Sequence, residues 1–203
     1  SDVCSSDLQT QQAEVDVREI LGRIRNRRFE GIDEFVDSLA DLRGVRGNII
    51  SLRELRYVDT ELVDSLEADV AAQTEKLSQQ CVKFLLQPQS LQPYEQRVAQ
   101  QQSQIEGLSR EADARTLEEE IATSAADLEM LIEIVSNLKI DDATHRTTII
   151  DNVSTIFSTI NTARAVLKKK RRELASVEGV AEFNSQMKLL NQGVVNYLDL
   201  CDA

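Results

Sequence analysis

Hydrophobic residues between positions 117 and 167 follow two unbroken heptad repeats. Steps of four and three residues alternate in each repeat, which keeps one narrow stripe of a helix against a partner helix. The first repeat contains Leu117, Ile121, Ser124, Leu128, Leu131, Val135 and Leu138, and the second contains Ile149, Val153, Ile156, Ile160, Ala163 and Leu167. The polar segment between them allows only a tight turn near residues 139–143. The pattern therefore predicts an antiparallel helical hairpin over residues 110–176.

Similar spacing in the rest of the chain predicts an all-α fold of extended antiparallel coiled coil and helical hairpins. We expect a helical segment over residues 9–87, interrupted near Gly31 and restarted by Asp59 as an N-cap. Both prolines lie in residues 88–93, which predicts a break there, followed by a short helix over residues 94–109.

The last part of the chain carries its own repeat. Gly179 is expected to interrupt the preceding helix, so that residues 177–203 form a separate C-terminal helix. Its apolar positions are Phe183, Met187, Leu190, Val194, Tyr197 and Cys201. The same type of repeat can pair within one chain or between chains, so a homo-oligomer remains open at this point.

Two polar residues, Ser124 and Gln101, occupy positions in these repeats. Polar residues in a coiled coil weaken it but can fix its register and its partner. The alternative is that small polar residues are simply tolerated near the ends of a repeat.

Residues 1–8 correspond to the translation of a common sequencing adapter over all eight positions. We therefore expect them to be a remnant of sequencing, and we leave them out of the fold prediction. On this interpretation Cys4 has no significance and the natural start of the chain is missing. The C-terminal helix is expected to be truncated too, which would make the chain an internal fragment of a longer protein.

The composition limits the classes of partner. A net charge of −12 repels phosphate backbones over the surface as a whole, although a local basic patch could still bind them. Three cysteines without close spacing fit neither a disulfide framework nor a zinc site. No apolar run reaches the length of a membrane span, so no membrane partner is expected. These features predict a soluble protein of the cytoplasm.

No pattern of catalytic residues is visible, so we expect no enzyme activity, cofactor site or metal site within this chain. His145 is the only histidine, and its place after two aspartates is typical of a solvated first helical turn. No glycine-rich phosphate loop is present. Glu118, Glu119 and Glu120 are consecutive, so on a helix they point in different directions.

The most prominent charged run is the basic segment, defined as Lys168, Lys169, Lys170, Arg171 and Arg172. One interpretation is contact with a nucleic-acid backbone. The other is charge pairing within the hairpin, because a reversal near Ile140 places this segment opposite residues 109–113. Residues 111–142 hold ten acidic and two basic side chains, whereas residues 143–176 hold two acidic and seven basic ones. Opposite charge on the two arms favours the intrahairpin interpretation.

A second basic group contains Arg18, Arg23, Arg25, Arg27 and Arg28. It could also contact nucleic acid, but no aromatic residues are interleaved to stack on bases. A solvated helix face is the better interpretation.

Several segments resemble the long helical region of the large bacterial "DNA repair ATPase" family. They are residues 128–144 (LEMLIEIVSNLKIDDAT), 55–59 (LRYVD), 188–192 (KLLNQ) and 195–199 (VNYLD). The resemblance extends over most of residues 30–203. It implies a large parent protein with a AAA-type ATPase module that binds ATP and Mg²⁺. None of the ATPase residues lies in this chain, so no catalytic role is carried onto it.

These observations together predict a non-catalytic coiled-coil arm or scaffold of a DNA-repair-associated ATPase. Such an arm would transmit movement, or keep a spacing, between the protein's own ATPase module and its partners. The alternative is a stand-alone helical adaptor or oligomerisation module without nucleotide hydrolysis. A third possibility is direct DNA binding through the basic patches, against which the net acidity argues.

Overall fold

A computed structural model describes residues 2–202 and contains six α-helices in this part of the chain. They are α1 (Asp2–Asn26), α2 (Ile32–Leu52), α3 (Thr60–Leu85), α4 (Gln92–Gln104), α5 (Glu111–Asn137) and α6 (Ala143–Cys201). No β-strand occurs among the described residues. The predicted all-α fold class is therefore confirmed.

The described residues group into two compact units. The first unit contains the chain up to Pro93 together with Asp127–Ser154, and the second contains Tyr94–Ala126 and the chain from Thr155 onward. Helices α5 and α6 contribute to both units.

The first unit is built on the apolar faces of α1, α2 and α3, which pack against one another. Helix α2 buries Ile32, Leu39, Leu42 and Ile49, and α3 buries Val63, Leu66, Val70 and Leu77. Phe35 stacks on Phe29 with ring centroids 4.8 Å apart and also contacts Phe84. Aromatic residues make up only 4% of the chain, and three of them form this local cluster within an otherwise aliphatic core.

Helix α3 begins where the N-cap prediction placed it. The Asp59 side chain accepts hydrogen bonds from the backbone N–H groups of Glu61 and Leu62, at 3.1 and 3.2 Å. These bonds satisfy two of the four N–H groups that the first turn of a helix leaves without a partner.

The break between α3 and α4 differs slightly from the expected residues 88–93. It covers residues 86–91, because Pro93 lies inside the first turn of α4. A proline costs nothing there, since the first N–H groups of a helix make no intrahelical bond. Helix α4 also ends earlier than the expected residue 109, at Gln104. Gln89 in this break has a positive φ of 67°, a conformation that costs free energy for a residue with a Cβ atom.

Helix α1 differs from the expected element at both ends. It begins at Asp2, so seven of the eight residues assigned to the adapter are helical, and Ser1 lies outside the described residues. Thr10 donates a hydrogen bond to the backbone oxygen of Ser6 within this helix. The helix ends at Asn26, before the expected boundary near Gly31, which frees Phe29 to stack on Phe35.

All thirteen residues of the two hairpin repeats are buried. The first repeat runs from Leu117 to Val135 on α5 and ends with Leu138 just after it, and the second runs from Ile149 to Leu167 on α6. Residues 138–142 form the turn, one residue earlier than predicted. In the first unit, the Arg146 guanidinium donates to the backbone oxygen of Leu138 at 2.7 Å and so closes the turn. In the second unit, Arg171 of α6 contacts Glu111 at the start of α5. The two helices are therefore antiparallel in the expected register.

The predicted interruption at Gly179 is wrong. Helix α6 continues through it for 59 residues, so the hairpin arm and the expected separate helix over residues 177–203 are one element. Its length is about 88 Å at 1.5 Å per residue. A glycine in a helix costs only about 1 kcal/mol relative to alanine, and no proline follows to stop the helix. Ala203 lies outside the described residues.

We expect Gly179→Ala to stabilise this part of α6. A Cβ atom at Gly179 would meet nothing within 4 Å, so the substitution removes backbone entropy without a clash. The local gain should be about 0.5–1 kcal/mol, measured as slower amide hydrogen exchange in residues 176–184. Gly31→Ala, at the non-helical N-cap of α2, is the control and should leave this exchange unchanged. Unchanged exchange in Gly179→Ala would contradict a continuous helix.

Candidate interaction surfaces

The basic segment lies on α6 in the second unit, and one of its members binds α5 tightly. Arg171 Nε donates to Glu111 Oε1 at 2.7 Å, and Arg171 Nη1 donates to Glu118 Oε2 at 2.6 Å. Glu111 and Glu118 are seven residues, or about two helical turns, apart on the same face of α5, so one guanidinium can reach both. Arg171 thus acts as a clamp between the arms of the hairpin.

This clamp changes the pKa of its members. The hydrogen bond from Arg171 is the largest cause that lowers the pKa of the Glu111 carboxyl below its ordinary value, and nearby Arg115 lowers it further. The hydrogen bonds to Glu111 and Glu118 raise the pKa of the Arg171 guanidinium. Both shifts favour the charged forms, so the contact is complete at neutral pH.

Glu178 adds a second contact between the arms, which the sequence did not indicate. Its carboxylate accepts a hydrogen bond from the backbone N–H of Glu111 at 3.1 Å. A carboxylate at this place also interacts favourably with the positive end of the helix dipole. The only available signal was an acidic residue at the position opposite the start of α5.

The other four members of the basic segment have a different role. In the described part of the chain, no ion pair joins Lys168, Lys169, Lys170 or Arg172 to a carboxylate. Lys168, Lys169 and Arg172 are exposed, and Lys170 is partly exposed. Of the two interpretations of this segment, pairing within the hairpin thus describes Arg171, whereas these four cations remain accessible.

The second basic group lies at the end of α1 and just after it, and most of its members contact nearby residues. Arg18 pairs with Glu14 at 2.6 Å, Arg23 approaches Asp41 at 3.8 Å, and Arg27, beyond the helix, lies over the ring of Phe29. These contacts point in different directions, so the group does not form one continuous basic surface.

The most unusual surface is the distal segment of α6, defined here as residues 176–201. Every residue in it is exposed, including the large apolar ones. Phe183 and Leu190 are each 60% exposed and Tyr197 is 67% exposed. The repeat predicted for this region is therefore helical, but none of the described residues covers it. Contiguous exposed apolar surface of this kind marks an interaction site.

Grooves within each unit bring distant residues together. In the first unit, a groove of about 290 Å³ between α2, α3 and α5 holds Arg43, whose guanidinium pairs with Glu133 at 2.8 Å. In the second unit, a polar groove between α4 and α5 is lined by both Gln101 and Ser124, and Gln101 Oε1 is buried there without a hydrogen-bond partner. The structure thus brings together the two polar residues that the sequence singled out, while the Arg43–Glu133 pair was missed because it joins residues 90 positions apart.

The remaining reactive groups are dispersed. His145 lies in the first turn of α6, half-exposed, with Nε2 3.5 Å from Asp142. Burial raises the pKa of the Cys81 thiol to about 12, which keeps it protonated at neutral pH. Within the described residues, no group of three or more histidine, cysteine, aspartate or glutamate side chains is arranged to hold a metal ion. None of the helices in that part of the chain combines the length and apolarity needed to cross a bilayer.

Comparison with known proteins gives a match over part of the chain. A family model described as a domain of unknown function, DUF7902, matches residues 89–173, which is less than half of the 203 residues. No curated protein and no solved structure matches the chain. The matched region covers α4, α5 and the basic segment, and it ends before the distal segment of α6.

We expect Arg171→Gln to lower the free energy of unfolding at pH 7 more than Arg172→Gln does. Both changes remove one positive charge, but only Arg171 contacts carboxylates. Because the folded-state pKa of Glu111 is lowered, its contribution is present above its ordinary pKa of 4.5 and is lost as the pH falls through the lowered value.

The difference between the two variants should therefore shrink below about pH 4. Urea unfolding of both variants at pH 7 and pH 3 measures it. Equal destabilisation by the two variants at pH 7 would contradict the clamp.

Proposed function

We propose that this chain is a non-catalytic helical arm of a DNA-repair-associated ATPase, placed in the cytoplasm. The arm spaces the protein's own ATPase module from its partners or transmits movement between them. ATP and Mg²⁺ are then bound by that module and not by this chain. The observation that carries the proposal is the uninterrupted 59-residue helix α6, of which one part is held by the hairpin and the rest is exposed.

The held part of α6 is well suited to resist bending. Its apolar positions from Ile149 to Leu167 are buried, and Arg171 and Glu178 add polar contacts with the start of α5. Beyond Glu178 the helix carries no such contact, yet no proline or positive φ interrupts it. A small rotation of the held part would therefore produce a larger displacement at Cys201.

The link to an ATPase depends on the sequence resemblance of residues 128–144 and the three shorter segments. Most of these residues lie in α5 and α6, whereas residues 55–59 and 138–142 lie between helices. A spacer function depends on the shape and stiffness of the helical parts. A stand-alone helical adaptor without nucleotide hydrolysis would need the same stiffness. The two functions are therefore distinguished by whether the gene that encodes this chain also encodes an ATPase module.

The intact gene therefore provides the first test. We expect its reading frame to encode a AAA-type module with a phosphate-binding loop, in addition to the present chain. A frame without any ATP-binding loop would contradict the ATPase proposal and favour the stand-alone adaptor.

The second test asks whether the intact protein uses α6 as a stiff element. Ala175→Pro places a proline in the helix interior, three residues after the basic segment, where it costs about 3 kcal/mol and kinks the helix. We expect ATP hydrolysis without DNA to be unchanged and its stimulation by DNA to be lost. Ala175→Ser, at the same exposed site, is the control and should retain the stimulation. Full stimulation in the proline variant would contradict a mechanical role.

Direct DNA binding is a second candidate, and the four accessible cations of the basic segment favour it. Four such cations on one helix can contact several phosphates at once, although the net charge of −12 opposes approach to DNA elsewhere on the surface. In this case the arm would also position the ATPase on its substrate.

Neutralising Lys168, Lys169, Lys170 and Arg172 to glutamine tests this candidate. We expect duplex DNA binding by the unmodified chain to weaken with salt, with a slope of log K against log[salt] that the variant reduces by up to roughly 0.9 per lost phosphate contact. Neutralising Arg18, Arg23, Arg25 and Arg28 is the matched control and should leave the slope unchanged. Absence of salt-dependent binding, or equal loss in both variants, would refute it.

A further inference from the structure

We propose that the distal segment of α6 pairs with the same segment of a second copy of this chain. The two helices run antiparallel, and the two-fold axis passes between Lys188 and Leu189. This inference goes beyond the proposed function, because it requires neither an ATPase module nor DNA.

The uncovered residues have heptad spacing. Val180, Phe183, Met187, Leu190, Val194 and Tyr197 alternate in steps of three and four, and all six are exposed. Such spacing places them in one stripe along the helix. No other helix in the described part of the chain covers this stripe.

The sizes of the side chains that meet across the axis favour the antiparallel direction. In the antiparallel pair, Phe183 faces Val194 of the second copy, Val180 faces Tyr197, and Met187 faces Leu190. Each aromatic ring therefore faces a small β-branched side chain, which allows the layers to fill space evenly. In a parallel pair Phe183 would face Phe183 and Tyr197 would face Tyr197, which crowds two layers and leaves the valine layers underfilled.

The absence of charge beside the stripe also favours a second copy. In the heptad defined by this stripe, the flanking e and g positions are Val177, Gly179, Asn184, Gln186, Asn191, Gly193, Leu198 and Leu200. None of them is charged, so a second copy meets no like charge beside the stripe. The hairpin arms in residues 111–176 have the opposite design, since their unlike charges favour pairing with each other. Neutral flanks are therefore suited to self-association.

The distal segment is large enough for a stable interface. Its 26 residues span about 39 Å. The six residues of the stripe, with Val177 and Leu198 beside it, can each remove roughly 100 Å² of surface from water, which amounts to about 800 Å² per copy. This is the area that one partner buries in a standard stable interface.

Sedimentation equilibrium of the chain tests the association. We expect a dimer at micromolar concentration, which Leu190→Asp converts to a monomer because it places a charge at the centre of the stripe. Leu189→Asp is the matched control: it is the adjacent residue, it is 71% exposed, and it lies outside the stripe, so the dimer should persist. Circular dichroism checks that both variants remain helical. A monomeric unmodified chain, or equal loss of dimer in both variants, would overturn the proposal.

Disulfide trapping tests the direction. In a Cys4→Ser background, Ser176→Cys places a thiol opposite Cys201 of the second copy only if the helices are antiparallel. We therefore expect mild oxidation to give a covalent dimer when residues 176 and 201 are both cysteine, and none with Cys201 alone. A covalent dimer through Cys201 alone would show parallel pairing and overturn the antiparallel arrangement. If the intact protein forms a dimer that Leu190→Asp does not dissociate, the stripe packs on another helix of that protein and not on a second copy, which would overturn the proposal.

Discussion

The burial of one narrow apolar stripe on α5 and α6 is the interaction on which the other features of the hairpin depend. Each of the thirteen positions is removed from water, and a fully buried aliphatic side chain contributes about 1.5–3 kcal/mol. This burial holds the two helices together closely enough for Arg171 to reach two carboxylates on the opposite arm. The ion pairs are partly exposed, so they contribute to orientation and register more than to stability.

Charge distribution divides α6 into parts with different partners. Up to Arg172 the helix is basic and faces an acidic arm of the same chain. The distal segment has neutral flanks and an apolar stripe that nothing in the described part of the chain covers. The first part of α6 is therefore held against α5, and the distal segment presents its apolar stripe for a second interaction. Because the helix does not break at Gly179, these two parts are mechanically connected.

Much of the hairpin followed from sequence because its spacing repeats over fifty residues. A single stripe with steps of three and four indicates a helix that packs along a partner helix. A five-residue polar link between two such helices permits only a tight turn, which makes them antiparallel. The Asp59 cap was also predictable, because the capping bonds involve only residues two and three positions away. Local breaks were less predictable. Gly179 and Pro93 are both weak signals, since a glycine costs little in a long helix and a proline costs nothing in the first turn.

The sequence by itself determined the all-α class, the antiparallel direction of the hairpin and the positions that are buried within the hairpin. Each of these depends on periodicity or on neighbouring residues. Only the tertiary structure decided which member of the basic segment is the clamp. Five consecutive cations point around the helix, and only the position of α5 selects Arg171 over Lys168 or Arg172. It also decided that the last repeat lacks a partner within the described chain. An apolar stripe has the same sequence whether or not another helix covers it, so its exposure depends on where the other helices end.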